Sequence, residues 1–131
     1  MIVGVGTDLV DIRRIRRSVD RFGDRFIARI LAEAERRDRL SGGRLAAYVA
    51  RQFAAKEAVS KALGCGMRNG VYFANILVLR DAAGAPFVEL HAGASVRARQ
   101  MDITAIQISL SDEKDYALAF AVAVHQSPVS H

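Results

Sequence analysis

Apolar and polar positions alternate along the first ten residues with a period of two. Residues 2–10 therefore predict a strand, with Val3, Val5 and Leu9 on one face. Two glycines and Asp8 fall on the opposite face. Glycines lower the stability of a strand and often mark the close approach of a ligand or of another backbone. We therefore consider three explanations for this face: a ligand, a bulge, or a tightly packed helix.

The pattern then changes to the spacing of helices. Apolar side chains step by three and four through residues 12–22 and predict a helix, at Ile12, Ile15, Val19 and Phe22. A second helical turn or two is expected after residue 24. Residues 41–43 predict a loop before the longest helix, from Leu45 to Leu63, which Gly64 and Gly66 end.

Beyond Asn69 the pattern is typical of strands. Residues 76–79 and 87–90 predict a hairpin joined by DAAGAP, and a short helix follows at residues 92–100. A strand at Ile106, Ile108 and Leu110 leads through the turn SDEKD to a last strand, residues 116–124, in which alanines alternate with large side chains. Such an alanine face requires a close neighbour, either the long helix or another subunit. The fold class predicted is α+β: a single domain, residues 1–125, with an antiparallel sheet packed against one long helix and shorter helices. Residues 126–131 are expected to form a frayed tail.

The composition narrows the class of protein. The chain has 131 residues, 51% of them hydrophobic and 25% charged, which is typical of one globular domain. Cys65 is the only cysteine, so a disulfide within the chain and a cysteine zinc cluster are excluded, and a cytoplasmic location is expected. The sequence indicates neither a signal peptide nor a membrane-spanning segment.

Positive charge is concentrated in one segment. Residues 13–29 contain seven arginines and two aspartates, which accounts for the whole net charge of +5. This segment indicates an acidic partner or a polyphosphate, and a solvated helix face is the alternative. A small nucleic-acid-binding protein is a competing class on the same observation.

Candidate chemistry lies on the long helix and on the first strand. Phe53, Glu57 and Lys61 share one helix face, and Lys56 and Ser60 border it. A solvated Glu57–Lys61 pair is the simplest interpretation of the spacing. A carboxylate at Asp8 together with Glu57 would instead suit Mg²⁺ bound between carboxylates and substrate phosphates. The spacing alone does not establish that Asp8 meets Glu57. A magnesium-dependent nucleotide enzyme of a different kind from a transferase, such as a hydrolase, would fit the same residues.

Three sequence blocks carry a resemblance to a known family. They are GVGTDLVDIRRIRR, RQFAAKEAVSKALGCGMRNG and the ending IQISLSDEKDYALAFAVA. In order and separation they resemble the holo-acyl-carrier-protein synthases, the short trimeric bacterial type of the 4′-phosphopantetheinyl transferase superfamily. The resemblance implies that family's fold and a magnesium-dependent transfer of 4′-phosphopantetheine from coenzyme A to a serine of an acyl carrier protein, in support of fatty acid biosynthesis.

The resemblance also implies roles for individual residues. Asp8 and Glu57 are expected to bind Mg²⁺, and Lys61 to lie against the phosphates of coenzyme A. Expected further contacts with coenzyme A, on weaker grounds, are Arg51, Ser60 and Gly64. A water held by the metal or by Glu57 is the preferred proton acceptor, and Asp112 is the second candidate. Some family members have histidine where this chain has Asp112, for which a simple turn residue is the alternative.

The partners follow from the same resemblance. Acyl carrier proteins are acidic, so the basic segment is expected to dock the carrier through Arg14, Arg21, Arg25, Phe26 and Arg29. The family implies a homotrimer with active sites between subunits, which would explain the alanine-rich strand face. Neither nucleic acid nor a membrane is expected as a partner.

Overall fold

The chain folds as α+β with antiparallel strands, as predicted. The computed structural model describes residues 1–36 and 40–128. The helices are α1 (Ile12–Phe22), α2 (Asp24–Ile30), α3 (Gly42–Ala62) and α4 (Ala92–Gln100), and single 3-10 turns occur at Glu33–Glu35 and Phe73–Asn75. The strands are β1 (Ile2–Asp11), β2 (Ile76–Arg80), β3 (Pro86–Leu90), β4 (Ala105–Asp112) and β5 (Tyr116–Val124). Residues 129–131 of the tail that was expected to be frayed lie outside the described residues.

A three-stranded sheet in the order β1-β5-β4 packs against α3, and β2 and β3 form a separate hairpin. The four alanines of β5, from Ala117 to Ala123, are fully buried. The glycine face of β1 also lies on α3, because a Cβ at Gly4 would overlap the carbonyl oxygen of Ala62 and one at Gly6 that of Ala58. Tight helix packing is therefore the correct explanation of both small-residue faces.

The other face of the same sheet carries large apolar side chains that remain accessible. Val5 is 50% exposed, Leu9 63%, Leu118 45% and Phe120 44%. Of the two neighbours expected for the alanine-rich face, the long helix is the correct one and another subunit is not, because α3 of the same chain covers the alanines. The face that lacks a cover within the described chain is the one with the large side chains.

Two helices begin and end close to their predicted limits. Asp11 is the N-cap of α1 and accepts a hydrogen bond from the Arg13 amide, and Gly23, with φ of 57°, ends the helix. α3 begins at Gly42, earlier than the predicted Leu45, because the Leu45 amide already bonds to the Ser41 carbonyl. It ends as expected before Gly64, whose φ is 78°.

A buried ion pair links α3 to the chain on either side of it. Lys56 is fully buried, and its Nζ lies 2.6 Å from Oε1 of Glu35 and 2.9 Å from the Phe73 carbonyl oxygen. The second oxygen of Glu35 accepts from Gln52 Nε2 at 2.6 Å and from the Val78 amide at 3.2 Å. The interpretation of Lys56 as a residue bordering the chemical face is therefore wrong: its ammonium group is used inside the core.

None of the helices in residues 1–36 and 40–128 is long and apolar enough to cross a membrane.

Candidate active site

Asp8 projects from β1 toward the last turn of α3. Its Oδ1 lies 3.3 Å from the ammonium nitrogen of Lys61, which also donates to the carbonyl oxygen of Thr7 at 2.9 Å. Its Oδ2 is buried and has no hydrogen-bond partner among the described residues. A buried carboxylate oxygen without a partner is costly, so the site has an unsatisfied acceptor that a cation could use.

Glu57 lies one helical turn before Lys61 and faces the same region. Burial raises the pKa of the Glu57 carboxyl above its usual range, the negative charge of Asp8 raises it further, and Lys61 opposes both effects. Burial likewise raises the pKa of Asp8, against the hydrogen bond and charge of Lys61. The fold thus brings Asp8 together with Glu57 and Lys61, which lie about fifty residues later in the sequence.

These residues fit a magnesium ion. The described residues contain no cluster of three or more histidine, cysteine, aspartate or glutamate side chains that could hold a metal. Mg²⁺ is commonly held by only one or two carboxylates and completes its octahedron with water and substrate phosphates. Asp8 and Glu57 match that donor set, and the partnerless oxygen of Asp8 is a ready ligand.

Two cavities flank this group. One of about 360 Å³ lies between β1, α1, α2 and α3, and its lining includes Asp8, Arg14, Phe26, Phe53 and Tyr116. The other, of about 480 Å³, lies at the C-terminal end of α3 and is lined by Lys61, Gly64, Cys65, Gly66, Arg68, Asn69 and Arg97. Lys61 lines the second cavity and bonds to Asp8 in the first. We call the first the carboxylate cleft and the second the basic pocket.

One arginine of the basic segment lines the carboxylate cleft, and the other predicted docking arginines are exposed on α1 and α2. Arg14 is exposed on α1 and lines the cleft, as does the half-buried Phe26 on α2. Arg21 is exposed with its guanidinium over the ring of Phe22, 5.1 Å from the ring centre. Arg25 and Arg29 are exposed on α2. Of the predicted docking residues, Arg14 and Phe26 therefore share the cleft with Asp8, the other three are exposed on α1 and α2, and the docking role of all five stays a prediction.

Two predicted coenzyme A contacts, Gly64 and Ser60, have different surroundings. Gly64 lines the basic pocket. Ser60 is fully buried, and its hydroxyl donates to the Glu57 carbonyl oxygen at 2.7 Å, so in this chain it does not face a cavity. Its predicted contact with coenzyme A is not supported by this arrangement.

Arg51 and Asp112 meet each other instead of joining the two carboxylates. Nη1 of Arg51 lies 3.3 Å from Oδ2 of Asp112, at the β4 edge of the sheet. Asp8 lies on the opposite edge strand, in the same cross-strand row as Leu110. The Cα atoms of Asp8 and Asp112 are roughly 12 Å apart, because they are separated by two strand spacings across the sheet and by two residues along β4. Asp112 is therefore not placed to act on a group at Asp8 of the same chain.

Sequence reasoning missed the parts of the site that distant segments contribute. Arg97 on α4 and Arg68 line the basic pocket, and Tyr116 on β5 and Phe53 on α3 line the carboxylate cleft. Phe53 stacks on Phe73 with ring centres 5.2 Å apart. Phe53 had a signal, because it shares a helix face with Glu57. The two arginines had none, because an arginine at either position is also typical of a solvated surface.

Comparisons with known proteins identify the family of the chain. Residues 4–121 match the family described as the 4′-phosphopantetheinyl transferase superfamily. A holo-[acyl-carrier-protein] synthase of Halorhodospira halophila is 45% identical over 124 residues, which cover 95% of this chain and 98% of that protein. The crystal structure of the synthase from Neisseria meningitidis superposes with a TM-score of 0.86 at 41% identity, over 95% of this chain and 99% of that one.

A third relative adds a bound ligand. The holo-(acyl-carrier-protein) synthase from Bacillus anthracis, solved in complex with CoA (3′,5′-ADP), superposes with a TM-score of 0.81 at 36% identity, over 96% of this chain and 99% of that one. The family match and the relatives each cover nearly the whole chain. The chain therefore belongs to the 4′-phosphopantetheinyl transferase superfamily.

Proposed function

We propose that this chain is a holo-acyl-carrier-protein synthase, which transfers 4′-phosphopantetheine from coenzyme A to a serine of apo-acyl carrier protein, in support of fatty acid biosynthesis. The observation that carries the proposal is the position of Lys61, which lines the basic pocket and bonds to Asp8 in the carboxylate cleft. A nucleotide diphosphate bridging the two cavities would have its phosphates at Lys61. The relatives named holo-[acyl-carrier-protein] synthase support the same reaction.

The reaction requires positioning and charge stabilisation more than covalent help from the protein. The serine oxygen of the carrier forms a bond to the β-phosphorus of coenzyme A, and the bond from that phosphorus to the bridging oxygen breaks. Adenosine 3′,5′-bisphosphate leaves with the bridging oxygen and its electron pair. Lys61 would leave Asp8 Oδ1 for a phosphate oxygen and add a positive charge where negative charge develops.

Asp8 and Glu57 would hold Mg²⁺, which when bound would neutralise charge on the diphosphate. Glu57 would also orient the water that accepts the serine proton. Asp112 remains the second candidate acceptor, and because of its distance from Asp8 it would have to come from a neighbouring copy of the chain.

A homotrimer with active sites between subunits is the assembly that the family resemblance implies. The accessible face with Val5, Leu9, Leu118 and Phe120 supports an interface between copies, because large exposed apolar patches commonly mark such surfaces. The Arg51–Asp112 pair at the β4 edge is a candidate contribution to a neighbour's site. Sedimentation at assay concentration should give a trimer, and a fully active monomer would contradict this assembly.

The proposed reaction is tested with the purified chain, coenzyme A, Mg²⁺ and apo-acyl carrier protein. Mass spectrometry should show the carrier gaining one phosphopantetheine, with one adenosine 3′,5′-bisphosphate released for each carrier modified. A carrier with its serine replaced by alanine should gain nothing. Breakdown of coenzyme A without carrier would instead indicate a hydrolase. Tight salt-sensitive binding of duplex DNA without transfer would indicate a nucleic-acid-binding protein.

A cytoplasmic location, predicted from the single cysteine, stays a prediction.

A further inference from the structure

One face of α4 lies against the chain that follows α3. Its three members are spaced four residues apart, at Gly93, Arg97 and Met101, and this spacing places side chains in one row along a helix. We call them the α4 row. None of them is close in sequence to the predicted site residues, and none belongs to the basic segment.

Each member touches the segment of residues 63–70. A Cβ at Gly93 would overlap the carbonyl oxygen of Gly70. Nε of Arg97 donates to the Leu63 carbonyl oxygen at 2.9 Å. A Cβ at Gly64 would lie 3.3 Å from Nη2 of Arg97 and 3.7 Å from Cε of Met101. The α4 row therefore limits where this segment can lie, at both of its ends.

The bond from Arg97 also satisfies a group that α3 leaves open. Leu63 is the C-cap of α3 and is fully buried, and carbonyl groups at a helix C-terminus have no partner within the helix. The positive charge of Arg97 complements the negative end of the helix. Loss of the guanidinium would leave a buried acceptor without its donor, which the segment could relieve only by moving.

The segment so held forms much of the basic pocket. Gly64 and Gly66 adopt φ of 78° and 67°, and their amides bond back to the carbonyl oxygens of Lys61 and Ser60. Both glycines, with Arg68 and Arg97, line the pocket beside Lys61. The lining contains three cations and no carboxylate, which favours an anionic ligand.

We propose that the α4 row is a positioning element for the nucleotide end of coenzyme A, with Gly93 and Arg97 as positioning residues that hold residues 63–70 in the shape that binds it. This inference rests on the proposed function, because it takes the basic pocket as the nucleotide site of that reaction. It goes beyond it by assigning selectivity: the row acts on the affinity for coenzyme A, and the affinity for the carrier, which docks at the cleft, does not depend on it.

The test compares Arg97→Gln and Gly93→Ala with the matched control Arg99→Gln. Arg99 lies on the same helix and is exposed, with its guanidinium on the Ser95 hydroxyl at 3.0 Å. We expect Arg97→Gln to raise the Michaelis constant for coenzyme A about tenfold, the equivalent of one lost hydrogen bond. Gly93→Ala should raise the same constant, because its Cβ would displace Gly70. The constant for the carrier should change less than about twofold, and Arg99→Gln should match the wild type in both.

Hydrogen exchange supplies a readout that does not depend on turnover. The amides of residues 64–70 should exchange faster in Arg97→Gln and Gly93→Ala than in the wild type and in Arg99→Gln, while those of β5 stay protected. Calorimetric titration with adenosine 3′,5′-bisphosphate should show the same loss of affinity as the kinetics. If one of the two variants does not fold, the other tests the inference alone. Met101→Ala, which only shortens the side chain of the third residue of the α4 row, is a milder replacement for the variant that fails.

Failure of this inference and failure of the proposed function give different results. A wild type that binds adenosine 3′,5′-bisphosphate but does not modify the carrier would overturn the proposed reaction and leave the α4 row to be judged on exchange and binding. An active wild type whose Arg97→Gln variant matches Arg99→Gln in the constant for coenzyme A would overturn the inference. An equal rise in both constants would overturn it as well.

Discussion

The Asp8 carboxylate has one oxygen 3.3 Å from the ammonium nitrogen of Lys61, and its other oxygen is buried without a partner in the described part of the chain. Lys61 pairs with Oδ1 of Asp8 and leaves Oδ2 without a partner. Because Glu57 is near enough for the negative charge of Asp8 to raise its pKa, the open oxygen faces a region where a divalent cation would relieve both carboxylates.

Asp8→Asn and Glu57→Gln should therefore each abolish most of the magnesium-dependent transfer. Both substitutions keep the shape of the side chain and remove its charge, so we expect kcat/KM to fall by about 100-fold or more. The measurement is carrier modification at several concentrations of Mg²⁺. Glu89→Gln, which alters an exposed residue of β3, is the control and should leave the rate unchanged. A near-wild-type rate for either variant would remove that residue from the metal site.

The sequence predicts the elements of this site better than it predicts the contacts between them. The alternation of residues 116–124 and the helix spacing of residues 12–22 give β5 and α1 with the bounds that the structure has. The bounds of α1 depend on neighbouring residues only, because Asp11 caps the start of the helix and Gly23 ends it. Spacing cannot show that Asp8 meets Glu57, because that contact depends on how β1 packs across α3.

The same limit explains why the cover of the alanine face stayed open between two neighbours and why the surroundings of Lys56 were misjudged. Periodicity shows that the alanines of β5 share a face, but it does not show which element covers them. Lys56 is four residues from Ser60 and one from Glu57, so helix spacing alone allows it to face the site or the core. The ion-pair partner of Lys56 decides which way its side chain faces. That partner, Glu35, lies in a segment that has no periodic pattern.

Removing one partner of the buried pair of Lys56 and Glu35 should strongly destabilise the fold. Lys56→Met leaves the Glu35 carboxylate in the core without its cation, and breaking a buried pair from one side costs about 3–5 kcal/mol. Unfolding by urea should show this loss as a lower midpoint. Lys114→Met, at an exposed turn position, should change the free energy of unfolding by less than about 0.5 kcal/mol. A Lys56→Met midpoint equal to that of the wild type would show that Glu35 is satisfied without the lysine.

The cap of α1 should make stability depend on pH in the acid range. Hydrogen bonds from Arg13 hold the pKa of Asp11 below its usual value. A lowered carboxyl pKa gives stability that is present above the unfolded pKa and is lost as pH falls through the folded pKa. The melting temperature of Asp11→Ala should therefore lie below that of the wild type at pH 7, and the difference should shrink below about pH 4. A difference that is constant down to pH 2 would assign the effect to shape and not to charge.

The arginines beside the cleft should act on the carrier and not on coenzyme A. Arg14 lines the carboxylate cleft and Arg21 is exposed on the same helix, whereas the basic pocket has its own cations. Reversing both to glutamate removes attraction for an acidic carrier and adds repulsion. Exposed charge contacts are worth under about 1 kcal/mol each, so the double variant should raise the Michaelis constant for the carrier by about tenfold. The constant for coenzyme A should stay within about twofold of the wild type.

Salt separates this steering from a direct structural effect, because exposed charges are screened over a Debye length of about 10 Å at 0.1 M. Raising the salt concentration should weaken carrier binding by the wild type more than by the double variant, so that the two converge. Arg80→Glu, at the exposed end of β2, makes one such charge reversal away from the cleft and should behave as the wild type. If the arginines instead bound the nucleotide, the constant for coenzyme A would rise and that for the carrier would not. If neither constant moved, the basic segment would be a solvated helix face, and the carrier would have to be recognised by the apolar lining of the cleft at Phe26 and Phe53.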